Sequence, residues 1–285
     1  MNRSPALVAV VGPVEPALLN AFVEHYRGFG IDRFLLAFHF PENTPADSRD
    51  VLLTTCRELL DRPEIISSGP WHEFTNTALR EELRARAGEG WHLLADVDEF
   101  QCYPASVAET IAAAEAEMVD VPVVGGVMLD RVAADGRLRP WAPEVGLDRS
   151  YPLGGFLTHR LLRGDPRKVV LVRSGVEVAS GNHRSPGRRP VNDPLVIVHH
   201  CKWRGDVVTY LARRAAMLAA GRWQEQSPAV RDEAHRLLAH VEEHAGRLDV
   251  SGQAVLFGPV TMDVVPSWWA DESRAIVDTW RPPAG

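Results

Sequence analysis

The chain has 285 residues, of which 45% are hydrophobic and 24% charged, and its formal net charge is -7. That is the composition of a globular protein large enough for one substantial α/β domain. The negative balance excludes general nucleic-acid binding, whose main attractive term is neutralisation of phosphates by Lys and Arg.

Lys168 and Lys202 are the only lysines, so almost all the positive charge is arginine. This bias points to a GC-rich bacterial coding sequence and means that an arginine by itself marks no site. Cys56, Cys102 and Cys201 are widely spaced, without a CxxC pair, and read as free thiols in a reducing compartment. The apolar run Ala6–Val11 is too short for a secretory h-region or a membrane span. The expectation is a cytoplasmic protein without a membrane anchor.

In chain order, Ala6–Val11 reads as a buried strand stopped by Gly12-Pro13. Leu18, Leu19, Phe22, Val23, Tyr26 and Phe29 then fall at helical spacing, with Gly30 as the stop. A second strand is predicted over 33–40. Asp47-Ser48 offers an N-cap for a helix carrying Val51, Leu52, Cys56, Leu59 and Leu60. A short strand over 64–67, a helix over 73–87 and a strand over 91–95 follow. This β-α-β-α-β-α-β order implies a parallel sheet covered on both faces, with ligands outside the carboxyl ends of its strands.

Farther on, 106–117 reads as a helix and 121–129 as a strand broken by Gly125-Gly126. The stretch 130–165, rich in Gly, Pro and Arg, reads as a long functional loop. Strands are predicted over 168–173 and 195–198, and two helices over 206–246, joined near 221–228. The tail carries Trp268, Trp269 and Trp280.

Asp96, Asp98 and Glu99 stand at the carboxyl end of the fourth predicted strand. Two carboxylates one residue apart suit Mg²⁺ or Mn²⁺, which take oxygen ligands and leave positions for substrate phosphates. Such an ion would neutralise a diphosphate leaving group. The tripeptide is weak alone, because 18 aspartates supply about one DxD by chance. Its weight comes from the buried-strand pattern before it and Phe100 after it.

Trp91-x-Leu93-x-x-Asp96-Val97-Asp98-Glu99-Phe100 resembles the W-x-L-x-x-D-x-D-E-F signature of bacterial family-2-like and family-92-like glycosyltransferases. Glu15 to Tyr26 with Gly30 to Phe34 is similar to that family's first helix and second strand. His199-His200-Cys201-Lys202-Trp203-Arg204 resembles its late H-Y-K-W-R element. The likeness runs over roughly 6–215. It implies a GT-A-like (Rossmann-like), mostly parallel central sheet flanked by helices, with a C-terminal helical segment. The implied division of 1–285 is a nucleotide-binding half (1–104), an acceptor and metal-completing half (105–205), and C-terminal helices and tail (206–285).

The implied activity is metal-dependent transfer of a sugar from a nucleoside-diphosphate sugar to a soluble small-molecule or glycan acceptor, with Mn²⁺ or Mg²⁺. Asp98 is the expected direct metal ligand, and Asp96 faces the ribose or the metal. A histidine completes the metal set: His200, which strand alternation separates from His199, or His183. Lys202 is a cation for the diphosphate. Asn76 and Arg80, one helical turn apart, and Glu15 are nucleotide-side candidates. Glu15 stands where many members carry an Asn-Glu pair, whereas this chain reads Gly12-Pro13-Val14-Glu15. Inverting chemistry would need a carboxylate base. Asp130, Asp135, Glu144, Asp148 and Asp165 are available, and Asp130 is singled out because it follows an apolar strand. The rivals are a nucleotidyltransferase, which wants a glycine-rich phosphate loop after the first strand, and a GT-A-like binding protein without transfer.

Overall fold

The computed structural model describes residues 4–117, 122–225 and 228–279. Met1, Val121 at the start of the fifth predicted strand, Gln226 and Ser227 in the predicted helix joint, and Trp280 lie outside the described residues.

The first half follows the apolar periodicity closely. It runs β1 (Ala6–Val11), α1 (Pro16–Gly28), β2 (Phe34–Phe40), α2 (Ala46–Leu60), β3 (Ile65–Ser68), α3 (Glu73–Ala87) and β4 (Trp91–Leu94). Strand alternation sends successive side chains to opposite faces, and two cores result. Leu7, Ala9, Val11, Leu36 and Phe38 pack under α1 and α2, against Leu18, Phe22, Leu52 and Cys56. Ala6, Val8, Leu35 and Ala37 pack against Leu83 and Ala87 of α3. Each fully buried Leu or Phe is worth about 1.5–3 kcal/mol relative to exposure, so burial decides this arrangement more than helix propensity does. The cap of α2 differs from expectation. Pro45 holds the N-cap position without a side-chain bond, and Asp47 lies inside the first turn.

Strands β3, β2, β1 and β4 are neighbours in that order and pair in parallel. The chain leaves β1 toward β2 and β3, with α1 and α2 on one face. It then returns through α3, on the other face, to β4 on the far side of β1. The strand order therefore reverses between β1 and β4, and a crevice opens outside their carboxyl ends.

The second half extends the same sheet. It contains β5 (Glu99–Cys102), α4 (Val107–Ala116), β6 (Val123–Val132), a short α5 (Leu147–Ser150), β7 (Leu153–Gly155), a π-helical turn (Leu157–Leu161), β8 (Arg167–Arg173) and β9 (Val191–His200). The elements α6 (Val207–Ala219), α7 (Ala229–Glu243), β10 (Gly258–Pro259) and α8 (Ser267–Thr279) follow. Strand β8 joins β4 and β6 by antiparallel pairing, and β9 lies parallel to β6 and antiparallel to β5. The predicted loop over 130–165 thus contains α5, β7, the π-helical turn and the end of β6.

Gly125-Gly126 does not break β6, which runs ten residues with a register shift there. A Cβ on Gly126 would lie 2.9 Å from a methyl of Val170 on β8 and 3.0 Å from one of Val198 on β9. Glycine lets three strands approach at that point. No helix among the described residues is long and apolar enough to cross a membrane.

Candidate active site

The acidic turn between β4 and β5 is held on both sides. Gln101, fully buried, donates its amide to the Leu94 carbonyl (2.6 Å) and accepts the Tyr103 hydroxyl (2.5 Å). The Tyr26 hydroxyl on α1 donates to the Glu99 carbonyl (2.9 Å), and the Cys201 amide donates to the Asp98 carbonyl (2.8 Å). The carboxylates of 96–99 therefore project from fixed backbone at the β1/β4 crevice.

Asp96 and Asp98 are both half-buried, whereas Glu99 is 1% exposed. Lys168, from β8, reaches into the turn. Its Nζ lies 2.6 Å from Glu99 Oε1 and 3.0 Å from Asp96 Oδ2, and donates to the Gly181 carbonyl at 2.7 Å. The second Glu99 oxygen accepts the Asp96 amide (3.1 Å). Burial opposes ionisation of Asp96, but the Lys168 ammonium outweighs it and holds the carboxyl below its usual value. Burial pushes Glu99 up to about 7, against the pull of Lys168. Burial alone would pull Lys168 down, yet the two carboxylates keep it above an ordinary lysine.

Asp98 faces a second cation. Arg204, just past β9, carries the opposing charges of Asp98 and Glu15 beside it. Its Nη2 donates to Glu15 Oε2 at 2.9 Å, and its Nη1 to the Cys201 carbonyl at 2.5 Å. Glu15 occupies the N-cap position of α1 without capping it, which leaves its carboxylate for Arg204. Asp96, Asp98, Glu15 and Arg204 thus gather at the crevice from the ends of β1, β4 and β9. Gly12, after β1, is not among the residues with positive φ, so its turn is not the left-handed glycine bend of a phosphate nest.

The adjacent histidines separate as alternation predicts. His199 accepts from Arg131 Nη1 at its Nδ1 (3.1 Å), while His200 donates its Nδ1–H to Asp130 Oδ1 (2.8 Å). The two rings therefore carry opposite tautomers. His200 stands directly opposite Glu99 in the β5/β9 ladder, so the two side chains share one face of the sheet. His183 donates Nδ1–H to the Arg167 carbonyl (2.8 Å), and burial followed by the nearby Lys168 charge lowers its pKa to about 4. Gly181, at φ 69°, brings its backbone against this ring; a Cβ there would lie 2.6 Å from it.

The structure gives Asp130 and Arg80 partners other than those expected and leaves Asn76 and Lys202 outside the acidic turn. Asp130 is 1% exposed, and both its oxygens are engaged by His200, the Trp203 indole (2.7 Å), and the Thr158 hydroxyl (2.8 Å) and amide (2.6 Å). A carboxylate so enclosed does not reach an acceptor hydroxyl, and it acts here by positioning His200 and Trp203. Arg80 is buried; it pairs with Glu81 (2.9 Å) and binds the Val178 and Ala179 carbonyls and Asn182 Oδ1 (2.6 Å), so its guanidinium is already committed to the fold. Asn76 stays exposed on α3. Lys202 is half-buried with Nζ 5.1 Å over the Trp203 ring, and it joins neither acidic pair.

Among the described residues, no three His, Cys, Asp or Glu side chains converge as a metal-ligand set. Asp96 is engaged by Lys168, and one ring nitrogen each of His200 and His183 is engaged by Asp130 and the Arg167 carbonyl. The expected set Asp96, Asp98, His200 and His183 is thus not gathered as a ready cage, although His200 and His183 each keep Nε2 and Asp96 keeps Oδ1 clear of these bonds.

Glu99 and Lys168 are the main site residues that the sequence reading did not assign. The available signal was the lysine itself, one of two in the chain and placed within an apolar strand. A cavity of about 440 Å³, lined by Glu24, His25, Phe100, Trp141, Asp148 and Met262, lies elsewhere. It sits on the Phe100 side of β5, opposite Glu99, and does not include the acidic turn.

No protein-family model matches the chain, and no curated protein matches it. Among solved structures, S. aureus TarS 1-349 is 12% identical, with 86% of this chain and 75% of that chain covered and a TM-score of 0.29. The inositol-1-phosphate CTP transferase from T. maritima is 10% identical over 98% and 99% of the two chains, with a TM-score of 0.28. UDP-glucose pyrophosphorylase complexed with UDP-glucose is 9% identical over 60% and 69%, with a TM-score of 0.24. Likenesses of this size carry no argument about what the chain does.

Proposed function

We propose that this protein transfers a sugar from a nucleoside-diphosphate donor bound at the β1/β4 crevice. The observation that carries the reading is the placement of Asp96 and Asp98. They stand at the carboxyl end of β4, where the strand order reverses and where open α/β sheets bind ligands. Glu15 and Arg204 frame the same crevice. Arg204 is a buried guanidinium whose fork suits a phosphate oxygen, and the Nε of that group has no hydrogen-bond partner among the described residues. The W-x-L-x-x-D-x-D-E-F resemblance supplies the sugar-nucleotide part of the reading. Mn²⁺ or Mg²⁺ is not assigned a step, because among the described residues no three ligand side chains converge.

The test is calorimetric titration of UDP and GDP, with and without Mn²⁺, into the wild-type protein and Asp98→Ala. The expected result is binding of one nucleotide that weakens by about tenfold or more in the variant, the scale of one lost charged contact. Equal affinity in the two proteins would sink the reading. Incubation with nucleotide sugars should release the nucleoside diphosphate. Release of pyrophosphate from a nucleoside triphosphate would instead make the protein a nucleotidyltransferase.

A further inference from the structure

Lys168 is unusual on three counts. It is one of two lysines among 285 residues, it is 3% exposed, and its strand is otherwise apolar from Val169 to Val172. An ammonium has three protons to donate. All three find oxygen here: Glu99 Oε1, Asp96 Oδ2 and the Gly181 carbonyl. Glu99 closes the ring through the Asp96 amide. Asp96 Oδ1 makes no hydrogen bond among the described residues, so one oxygen of this carboxylate is anchored and the other is not.

We infer that Lys168 is the built-in counter-cation of the acidic motif, occupying the position between Asp96 and Glu99 that a divalent ion would otherwise take. Two carboxylates brought together in a poorly hydrated turn repel each other unless a cation stands between them. A divalent ion bridging both would lie within a few ångströms of the ammonium, and that repulsion opposes its entry. Lys168 is therefore a positioning residue: it anchors Asp96 through Oδ2 and occupies Glu99 Oε1, which keeps Glu99 out of any ligand set. Asp98 is the one carboxylate of the motif that Lys168 does not hold.

The inference concerns the crevice on which the proposed transfer rests. Its test uses neither nucleotide nor turnover, so the two readings fail separately. The first arm titrates Mn²⁺ alone into nucleotide-free protein, followed by water-proton relaxation. Lys168→Met should bind Mn²⁺ at least about tenfold more tightly than wild type, because the competing charge is gone. Adding Glu99→Gln to that variant should abolish the gain, which loss of a merely structural lysine would not produce. A folded Lys168→Met with no gain overturns the inference.

The second arm needs no variant. Wild-type protein is acetylated with acetic anhydride, and each lysine is read by peptide mass spectrometry. Lys202 should react and Lys168 should stay protected, with protection unchanged in millimolar Mn²⁺. If Mn²⁺ exposes Lys168 to acetylation at the rate of Lys202, the ion has displaced it and the inference is wrong.

Discussion

Asp130 shows how far one buried carboxylate can organise a neighbourhood. Its two oxygens accept four hydrogen bonds, from His200, Trp203 and twice from Thr158. The π-helical turn at Leu157–Leu161 lets Thr158 offer both its amide and its hydroxyl. Asp130→Ala would leave these donors buried without an acceptor. Removing one partner of a buried charged network costs about 3–5 kcal/mol, so the urea midpoint should fall steeply, and Asp130→Asn should fall less because one carbonyl acceptor survives. The α3 pair offers a contrast at the same scale. Arg80→Ala removes the bonds that tie α3 to the segment 178–182 and should cost about 2–3 kcal/mol. Asn76→Ala, at an exposed helix position, should stay within about 0.5 kcal/mol. A loss of nucleotide affinity in Asn76→Ala without loss of stability would support the expected nucleotide role of Asn76.

Among the elements, β6 carries the most consequence for the site. It pairs with β7, β8 and β9, and it places Asp130 and Arg131 on opposite faces near its end. Arg131 holds His199, the Tyr151 carbonyl and Asp148, so one strand fixes both histidines and the segment before β7. The approach of β8 and β9 at Gly126 is what allows this. Gly126→Ala would press a methyl against Val170, Val198 and the Val196 carbonyl, and over-packing of this kind costs about 1–3 kcal/mol. Thermal unfolding of that variant should shift downward by several degrees. Gly12→Ala, where a Cβ meets nothing within 4 Å, is the control and should leave the transition in place.

At the scale of the whole molecule, the buried histidines set the acid limit of stability. His39 and His92 are almost fully buried and His25 is half-buried, and burial is the largest cause that lowers the pKa of each. Arg84 donates to His92 Nδ1 while His92 Nε2–H donates to the Gly88 carbonyl, a pairing that requires the neutral ring. The folded pKa values lie below the unfolded value near 6.5, so the unfolded chain binds more protons as the pH drops below it. Stability should therefore fall from about pH 6.5 downward. Glu99, raised to about 7, contributes the opposite slope between its unfolded value and that pH, but as one group against these three histidines and also His183 and His199, whose pKa values burial lowers too. Calorimetric Tm at pH 5.5 should lie below that at pH 7.5. An equal or higher Tm at pH 5.5 would mean that these rings do not have to stay neutral in the fold.

Local pattern was enough to place β1, α1, β2, α3 and β4 almost to the residue, because each buries one face and its apolar spacing records which. The same pattern located the acidic turn and sent His199 and His200 to opposite sides. Side-chain partnership was not legible in this way. Asp130 and Arg80 read as candidate site residues because they are polar near promising strands. In the fold they act as anchors, and apart from Glu81 beside Arg80 the groups that hold them lie 28 to 102 positions away in the chain. Lys168 and Glu99, 69 positions apart and each unassigned from its local context, meet only when β8 crosses to β4. Long-range pairing of buried charge depends on which strands become neighbours. No periodicity within a segment encodes that.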